Sequence, residues 1–489
     1  MQADVGPRIA VVGTGMAAVM CAKTLAHMAQ SDVGSASSLR NARITLCTSR
    51  GKLATQTGPK NGSIPQAGKP FFDYGCQYFT ATDQWFQEQV GRWEKAGFVT
   101  ALAGNQIGML SEANGFKPVL GGKCWVGNGG MGPMLAKVIE DIKQEFPGIV
   151  EHVAGFPESS MAVKSLSKTS NTWRLGTLGG KQLGPFDFVI GGFAQHVLTD
   201  PFLLSGGQVC QKMLQCLRRV ESNQLIPIQV CFEGDPLPAA FTAAHVYGED
   251  CLSFVCNNSR KPQQSGKDGT PGPQHWTLLS TAKFAETEFN TNPKGYKRSA
   301  QDGMLGALSR VLGVTDLAKH RPVINRINHW EDGLATNAPP DSKGCLFDVE
   351  AGLGWCGDFC VSPGIQGAAL SGRAMATTLS SYIGAQSGFD DSGMLPFDEP
   401  WRSVQRTESS ILLDIGAFPS ELGLTENWTH TDLVPSAADG YKPEGHTGAA
   451  GARISNDTVS GKGNKGKGDG KGKKGYKSAV GSKGKGKSY

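Results

Sequence analysis

The residues best placed for chemistry near the start of the chain are glycines. Arg8-Ile-Ala-Val-Val12 reads as a buried strand, GTGMAA follows, and Met16 to Ala29 is rich in helix formers. Gly13 and Gly15 stand where a strand–turn–helix unit needs a tight turn and room for phosphates. Ala18 is small enough for helix and strand to pack closely. A helix starting here presents unsatisfied N–H groups and the positive end of its dipole to the turn. This spacing predicts dinucleotide binding. The usual acidic partner for ribose hydroxyls is missing after the next β-rich run, Arg43–Cys47, where Thr48, Ser49 and Arg50 stand instead. Thr48 offers one hydroxyl, and Arg50 or Lys52 could meet phosphate.

A second constellation lies far downstream. Gly357-Asp358 follows a strand-like run and precedes a glycine-led helix, GIQGAALSGRAMATTLSSYI. Asp358 is suited to accept hydrogen bonds from a ribityl chain. The helix end near Gly367 would favour the negative charge that builds on a reduced flavin ring. Cys356 and Cys360, in WCGDFC, are separated by three residues, a spacing that fits packing better than redox chemistry. The twelve cysteines are otherwise scattered, with no CxxC pair and no histidine at metal-ligand spacing. Reduced thiols in a cytoplasmic setting and no metal are expected.

The elements that must position these residues follow from pattern. Strand, helix and strand at the N-terminus form a βαβ unit. Arg50–Pro70 reads as a loop, and Gln84–Ala96 as a helix with Trp85, Phe86, Val90 and Trp93 on one face. GNGGMG leads into a helix over Pro133–Glu145. Ile149–Ala154, a hairpin within Ser160–Leu175, and Phe186–Ile190 read as strands, as do Ile226–Phe232 and Trp276–Ala282. Lys261–Gln274 reads as a polar insert.

With 489 residues, 39% hydrophobic and 19% charged, the chain is long enough for two or three cores and too apolar for wholesale disorder. Its formal charge of +5 is unevenly spread: Gly461–Tyr489 holds ten lysines and one acid, Asp469, and the rest 38 basic and 42 acidic residues. The body is therefore mildly acidic and gives no electrostatic case for nucleic-acid binding. The Gly/Lys tail should be disordered, with weak contact to polyanions as its one charge-driven capacity. No apolar stretch reaches membrane-spanning length, and Met1–Pro7 is short and polar, so neither a membrane span nor a signal peptide is expected.

RIAVVGTGMAA, GKLATQ, FFDYGCQYFTATD, WVGNGGMGPMLAKVI, SFVCNNSRKP, INHWEDG and GLGWCGDFCVSPGIQGAALSG occur in this order, across roughly three quarters of the chain. Together they resemble the renalase-like branch of the FAD-dependent amine-oxidase superfamily. The resemblance implies an α/β fold, a discontinuous Rossmann-like FAD-binding domain with a second mixed-sheet α+β substrate domain, to which composition adds the disordered basic C-terminal tail. The expected boundaries are 1–78, 120–200 and 345–385 for the FAD domain and 79–119 and 201–344 for the substrate domain. An extension over 386–460 and a disordered tail over 461–489 complete the chain.

It further implies non-covalent FAD and a hydride taken from a reduced small molecule, dihydronicotinamide-like (NAD(P)H-like) or an amine. Electrons then pass to oxygen or another acceptor. Carried over, Gly13, Gly15, Met16 and Ala17 fall in the phosphate turn, while Thr48 is the first position after the second strand. Lys52 replaces the arginine of the family's GGRM stretch. Gln77 and Tyr78 fall in its G-A-Q-Y segment beside the flavin, Val153 on the strand that meets adenine, and Asp358 and Ile365 in the second FAD motif. His329 and Trp330 match a stretch of the substrate domain where a histidine could orient a substrate, with Tyr78 and Trp330 flanking a planar ring. The shortened TSRGKLATQ departs from the family pattern and bears on cofactor affinity. A contrasting expectation is a catalytically weakened binding protein that contacts RNA or acidic surfaces through its tail.

Overall fold

The computed structural model describes residues 6–31, 38–48, 55–57, 71–73, 75–118, 123–155, 159–193, 196–262, 272–340, 343–385, 388–392, 394–397 and 400–403. Lys52 and the Gly/Lys tail therefore lie outside the described residues.

The elements that bear on the site are, in chain order, first β1 (Arg8–Val12), α1 (Met16–Ser31), β2 (Arg43–Thr48), β3 (Phe71–Asp73), α2 (Gln84–Lys95), β4 (Ile107–Ser111) and β5 (Gly115–Pro118). Then come α3 (Met131–Glu145), β6 (Val150–Ala154), β7 (Phe188–Gly191), α4 (His196–Ser205), α5 (Gln211–Leu217) and β8 (Pro227–Phe232). Next are β9 (Ala243–Tyr247), β10 (Phe254–Asn257), β11 (Gln274–Leu279), α6 (Ala282–Thr291) and α7 (Tyr296–Val311). The last are β12 (Pro322–Ile327), β13 (Leu346–Asp348), β14 (Leu353–Trp355) and α8 (Ile365–Ala385).

One sheet has six strands in the order β6-β2-β1-β7-β14-β13. All its pairs are parallel except β13 with β14. A parallel sheet is covered on both faces, so its strands need continuous apolar runs rather than alternation. β1 shows the consequence: Ile9 and Val11 join a core with α1, α3 and α8, while Ala10 and Val12 join another with α4 and α5. This is the Rossmann-like half of the α/β architecture.

The second sheet has seven strands, β12-β8-β11-β10-β9-β4-β5, and only its β4–β9 pair is parallel. Its outer face (Ile228, Val230, Trp276, Leu278, Val255) packs under α6 and α7. The inner face carries Phe254, Cys256, Ala243 and Ile107, with Tyr78 and Leu279 packed beside them.

Two element boundaries differ from sequence expectation. β11 ends at Leu279 because Thr281 turns its hydroxyl back to accept the Phe284 N–H at 3.2 Å, so Ala282 opens α6 instead of ending a strand. α3 starts at Met131 rather than Pro133 because its first N–H is capped from afar, by Asp73. The hairpin expected within 160–175 forms from antiparallel strands Val163–Thr169 and Thr172–Thr177.

Candidate functional site

The first half of the site is made of backbone. β1 delivers Gly13 with φ +153°, a conformation that favours glycine, and its N–H donates to the Cys47 carbonyl at 2.9 Å. A Cβ on Gly13 would lie 3.0 Å from both Ala18 Cβ and the Gly192 carbonyl, so this glycine serves close packing. Gly15 differs: a Cβ there would meet only the Gly192 carbonyl, at 3.8 Å, leaving open space before α1. The first turn of α1 contains no acidic side chain, so its dipole and free N–H groups stay uncompensated.

α8 repeats the glycine entry but not the absence of an acid, since Asp358 stands just before it. It is entered through Gly364, at φ +113°, where an added Cβ would touch nothing within 4 Å, and only within its first turn is an acid lacking. The two helices pack closely, because Gly372 puts its Cα beside the Ala17 carbonyl with no room for a side chain. Gly372 lies seven residues into α8 and Ala17 at the start of α1. At 1.5 Å per residue the N-terminus of α8 therefore lies about 10 Å along α8 from its contact with the start of α1. Asp358 lies in the 3₁₀ turn Asp358–Cys360 before α8 and is half-buried, and its carboxylate accepts the Gly364 N–H at 3.3 Å. Ile365 is the first residue of α8, and Gln366 ties that end to α2 by accepting the Thr82 and Asp83 N–H groups at 2.7 and 3.0 Å.

At the end of β2, Thr48 is buried and its hydroxyl pairs with His152 Nε2 on β6 at 3.0 Å. Burial holds His152 below the ordinary histidine pKa. This Thr48–His152 pair occupies the place of the missing acid; sequence reasoning did not find His152, which is signalled only by its register beside Leu46. Val153 lies one step further along β6, paired with Cys47.

The second half of the site is made of side chains. Asp73, at the end of β3, and Lys261, just after β10, form an ion pair of 2.6 Å with both side chains fully buried. The other carboxylate oxygen of Asp73 accepts the Met131 N–H at 2.8 Å, capping α3. Its carbonyl accepts the Thr277 hydroxyl and the Gln77 amide, at 3.0 and 2.7 Å, and its N–H donates to Asn258 at 3.3 Å. Lys261 also reaches Gln77 Oε1 at 3.3 Å. Gln77 thus uses both ends of its amide to brace the Gly75–Tyr78 turn, with a second bond to the Gly75 carbonyl at 3.1 Å. Burial opposes the Lys261 ammonium, but the Asp73 carboxylate outweighs it, and the pKa lies above the ordinary 10.5. The expectation of a polar insert beginning at Lys261 is corrected here: Lys261 is an interior cation, stable only because Asp73 and Gln77 enclose it.

Tyr78 follows this turn. Its hydroxyl pairs with His245 Nε2, on β9, at 2.8 Å, and its ring packs near His245 and Phe254. His245 is 2% exposed, its Nδ1 lacks a hydrogen-bond partner, and burial pushes its pKa down from 6.5 to about 4. His329 and Trp330 sit elsewhere, just past β12 on the sheet edge. His329 stacks on Phe289 and pairs with Gln224 at 3.3 Å, while Trp330 bridges Leu225. The contacts of His329 and Trp330 are with Phe289, Gln224 and Leu225, and those of Tyr78 with His245 and Phe254.

Among the described residues no cluster of His, Cys, Asp or Glu could hold a metal, and no helix is long and apolar enough to cross a membrane. Cys356 and Cys360 are buried; hydrogen bonding with Cys21 and burial raise the Cys356 thiol pKa, and burial raises that of Cys360.

No protein-family model matches the chain. Its backbone is similar to an oxidoreductase from Methanosarcina mazei at 10% identity and a TM-score of 0.49, over 75% of this chain and 98% of that one. It is similar to putrescine oxidase bound to putrescine at 11% identity and a TM-score of 0.47, over 78% and 99%. It is also similar to p-nitrophenol 4-monooxygenase from Pseudomonas putida at 12% identity and a TM-score of 0.45, over 87% and 91%.

Proposed function

We propose that the chain is an FAD-dependent oxidoreductase of the renalase-like kind. It takes a hydride from a reduced small-molecule donor, dihydronicotinamide-like or an amine, and passes the electrons to oxygen or another acceptor. One observation carries the reading. Two helix N-termini, each entered through a glycine beside open space, stand at the carboxyl ends of parallel strands, and α8 packs through Gly372 against the start of α1. A dinucleotide cofactor has anionic and polar groups to meet both ends.

The residues fit such a group. The N–H groups of Gly15, Met16 and Ala17 would face the pyrophosphate, Thr48 with His152 the ribose, and Asp358 with the start of α8 the far end. Bound FAD supplies the ring that accepts the hydride. This chain's part is to hold the donor and keep water away. Tyr78 stands at the end of a turn fixed by the Asp73–Lys261–Gln77 network, and His245 holds its hydroxyl in place while staying uncharged at neutral pH. Thr277, Gln229 and His245 are all buried on the inner face of the seven-stranded sheet, which leaves that face dry.

The test is the visible spectrum of purified protein, where flavin absorbs at about 450 nm. A yellow protein, or a colourless one whose melting temperature rises with added FAD, supports the reading. A protein that stays colourless with no thermal shift defeats it and leaves the non-catalytic binding protein in its place.

A further inference from the structure

The chain passes from the six-stranded half to the seven-stranded sheet between α5 and β8, and it returns between β12 and β13. The two passages lie side by side. Leu225 and Trp330 exchange N–H donations to each other's carbonyls at 3.0 and 2.9 Å. The Asn223 N–H donates to Leu334 at 3.0 Å, that of Gly333 to Asn223 at 2.8 Å, and that of Thr336 to Glu221 at 2.7 Å. Together they make a two-stranded antiparallel ribbon joining the two halves of the site. Two strands alone are marginal in water, and this ribbon gains a further strand from beyond α8: Arg402 and Ser403 pair antiparallel with Ala338 and Asn337.

The described residues after α8, which are 388–392, 394–397 and 400–403, run as a strap over the body. Phe389 packs edge-on against Tyr382 and Phe347. Met394 is 1% exposed, and its carbonyl accepts the Phe347 N–H at 3.2 Å along the edge of the six-stranded sheet. Further on, one side chain holds the strap to the ribbon. Arg219 Nη1 donates to the Pro396 and Phe397 carbonyls at 2.6 and 2.8 Å, and the guanidinium lies 5.4 Å from the centre of the Trp401 ring. The Arg219 carbonyl accepts the Asn337 amide at 2.6 Å, and Asn337 Oδ1 accepts the Glu221 N–H at 2.9 Å. Arg219, Asn337, Ser403 and Trp401 thus close a ring of contacts at the ribbon's end. Asn337–Ala338 in turn packs against the Asp358–Cys360 turn, and Ala335, Leu395 and Trp401 pack on the core that holds Phe359 and Cys360.

These ties are few. A two-residue ladder, one guanidinium and one buried methionine hold far less than the sheets do, and segments held by few contacts open while the rest of a fold stays intact. We propose that the strap is a clasp on the hinge between the two halves. Seated, it braces the ribbon and holds the Asp358 turn; released, it lets both loosen and the cofactor leave. The ligand's identity rests on the FAD reading above, while the coupling of strap, ribbon and turn does not.

Full-length protein carrying Arg219→Met tests this, with Arg218→Met as the control, because Arg218 bonds Asp200 on α4 and not the strap. Hydrogen exchange is followed by mass spectrometry over 330–338, 358–364 and 394–403, and FAD release by the recovery of flavin fluorescence. Arg219→Met should speed exchange in all three segments together, and FAD release with them, by about tenfold, the loss of hydrogen bonds from a charged donor being of that order. β1 should keep its protection, and Arg218→Met should change none of these. If Arg219→Met lowers the melting temperature of the whole fold, Trp401→Ala, a change to a partly exposed ring, should give the same pattern. Faster exchange confined to 394–403, with the ribbon and the Asp358 turn as protected as before, overturns the clasp, as does an equal effect from Arg218→Met. A colourless protein with coupled exchange sinks only the FAD reading; a yellow one without it sinks only the clasp.

Discussion

The two sheets build their halves of the site by different means. In the six-stranded sheet the candidate groups, the Thr48–His152 pair apart, are backbone N–H groups and glycine gaps within a few residues of Gly13 or Gly364. In the seven-stranded sheet they are side chains from distant parts of the chain: Asp73 and Lys261 are 188 residues apart, and Tyr78 and His245 are 167 apart. A backbone site survives most side-chain changes and fails when a glycine gains a Cβ. A side-chain site fails when one partner is removed. The difference yields a ranked set of expectations.

The largest effect should come from Lys261→Met. It leaves the Asp73 carboxylate buried with no cation, and breaking a buried pair costs about 3–5 kcal/mol. Asp73→Asn combined with Lys261→Met should recover much of this, because the asparagine amide oxygen can still accept the Met131 N–H. Urea unfolding of the single and double variants measures the difference. The pair also has a pH signature. Lys261 titrates above its ordinary value in the folded chain, so its contribution is complete below about pH 10.5 and lost as pH rises through the higher folded value. The double variant should lack that alkaline limb.

His245 gives the next effect, at the opposite end of the pH scale. Above pH 6.5 it is neutral whether folded or unfolded, so its contribution is intact. Below 6.5 the unfolded chain takes up a proton that the folded chain refuses until about 4. Stability should therefore fall by about 3 kcal/mol over that interval, at about 1.4 kcal/mol per pKa unit. His245→Asn should flatten this acid limb in denaturant titrations, with an unchanged limb as the contrary result.

These two residues also mark where the sequence is legible. The Gly13–Gly15 turn, α1 and the glycine-led α8 are readable because strand, turn and helix are contiguous and each residue type has a local reason. Asp73 and Lys261 are not readable. Asp73 sits in an aromatic run whose partners cannot be deduced from spacing, and Lys261 opens a polar stretch that composition places on the surface. His152 escapes for a related reason: it meets Thr48 through strand register, which leaves no periodic trace. His329 and Trp330 are conspicuous in sequence, yet their folded contacts are with Phe289, Gln224 and Leu225 at the sheet edge.

Gly372→Ala tests the backbone half. Its Cβ would collide with the Ala17 carbonyl and the Cys21 N–H, both backbone groups that cannot swing aside. α1 and α8 must then separate, at about 1–3 kcal/mol. The two N-termini move with them, so FAD content should fall along with the melting temperature. Gly15→Val is the sharper companion: its Cβ has room, so flavin content should drop with little change in stability. Retention of flavin by Gly15→Val would remove the α1 turn as the phosphate site.

The smallest effect should come from a carboxylate–cation pair that water can reach. Arg8 and Asp187 meet at 2.9 Å at the start of β1, opposite the glycine turn, and each side chain is 34% exposed. Asp187 also accepts the Arg8 backbone N–H at 2.8 Å. Partial burial alone would raise the Asp187 pKa, but its bonds to Arg8 bring it below the ordinary 3.8. The pair therefore contributes above that value and loses its contribution as pH falls through the lower folded one. Water and salt screen these charges, so Asp187→Asn, which keeps the shape and an acceptor, should cost about 0–1 kcal/mol and less at high salt. Flavin content should not change, since the substitution lies at the far end of β1. The Asp73–Lys261 pair has neither solvent access nor this tolerance. If Asp187→Asn proved as costly as Lys261→Met, burial would not be what separates the two pairs, and the special standing given to the inner face would fall with it.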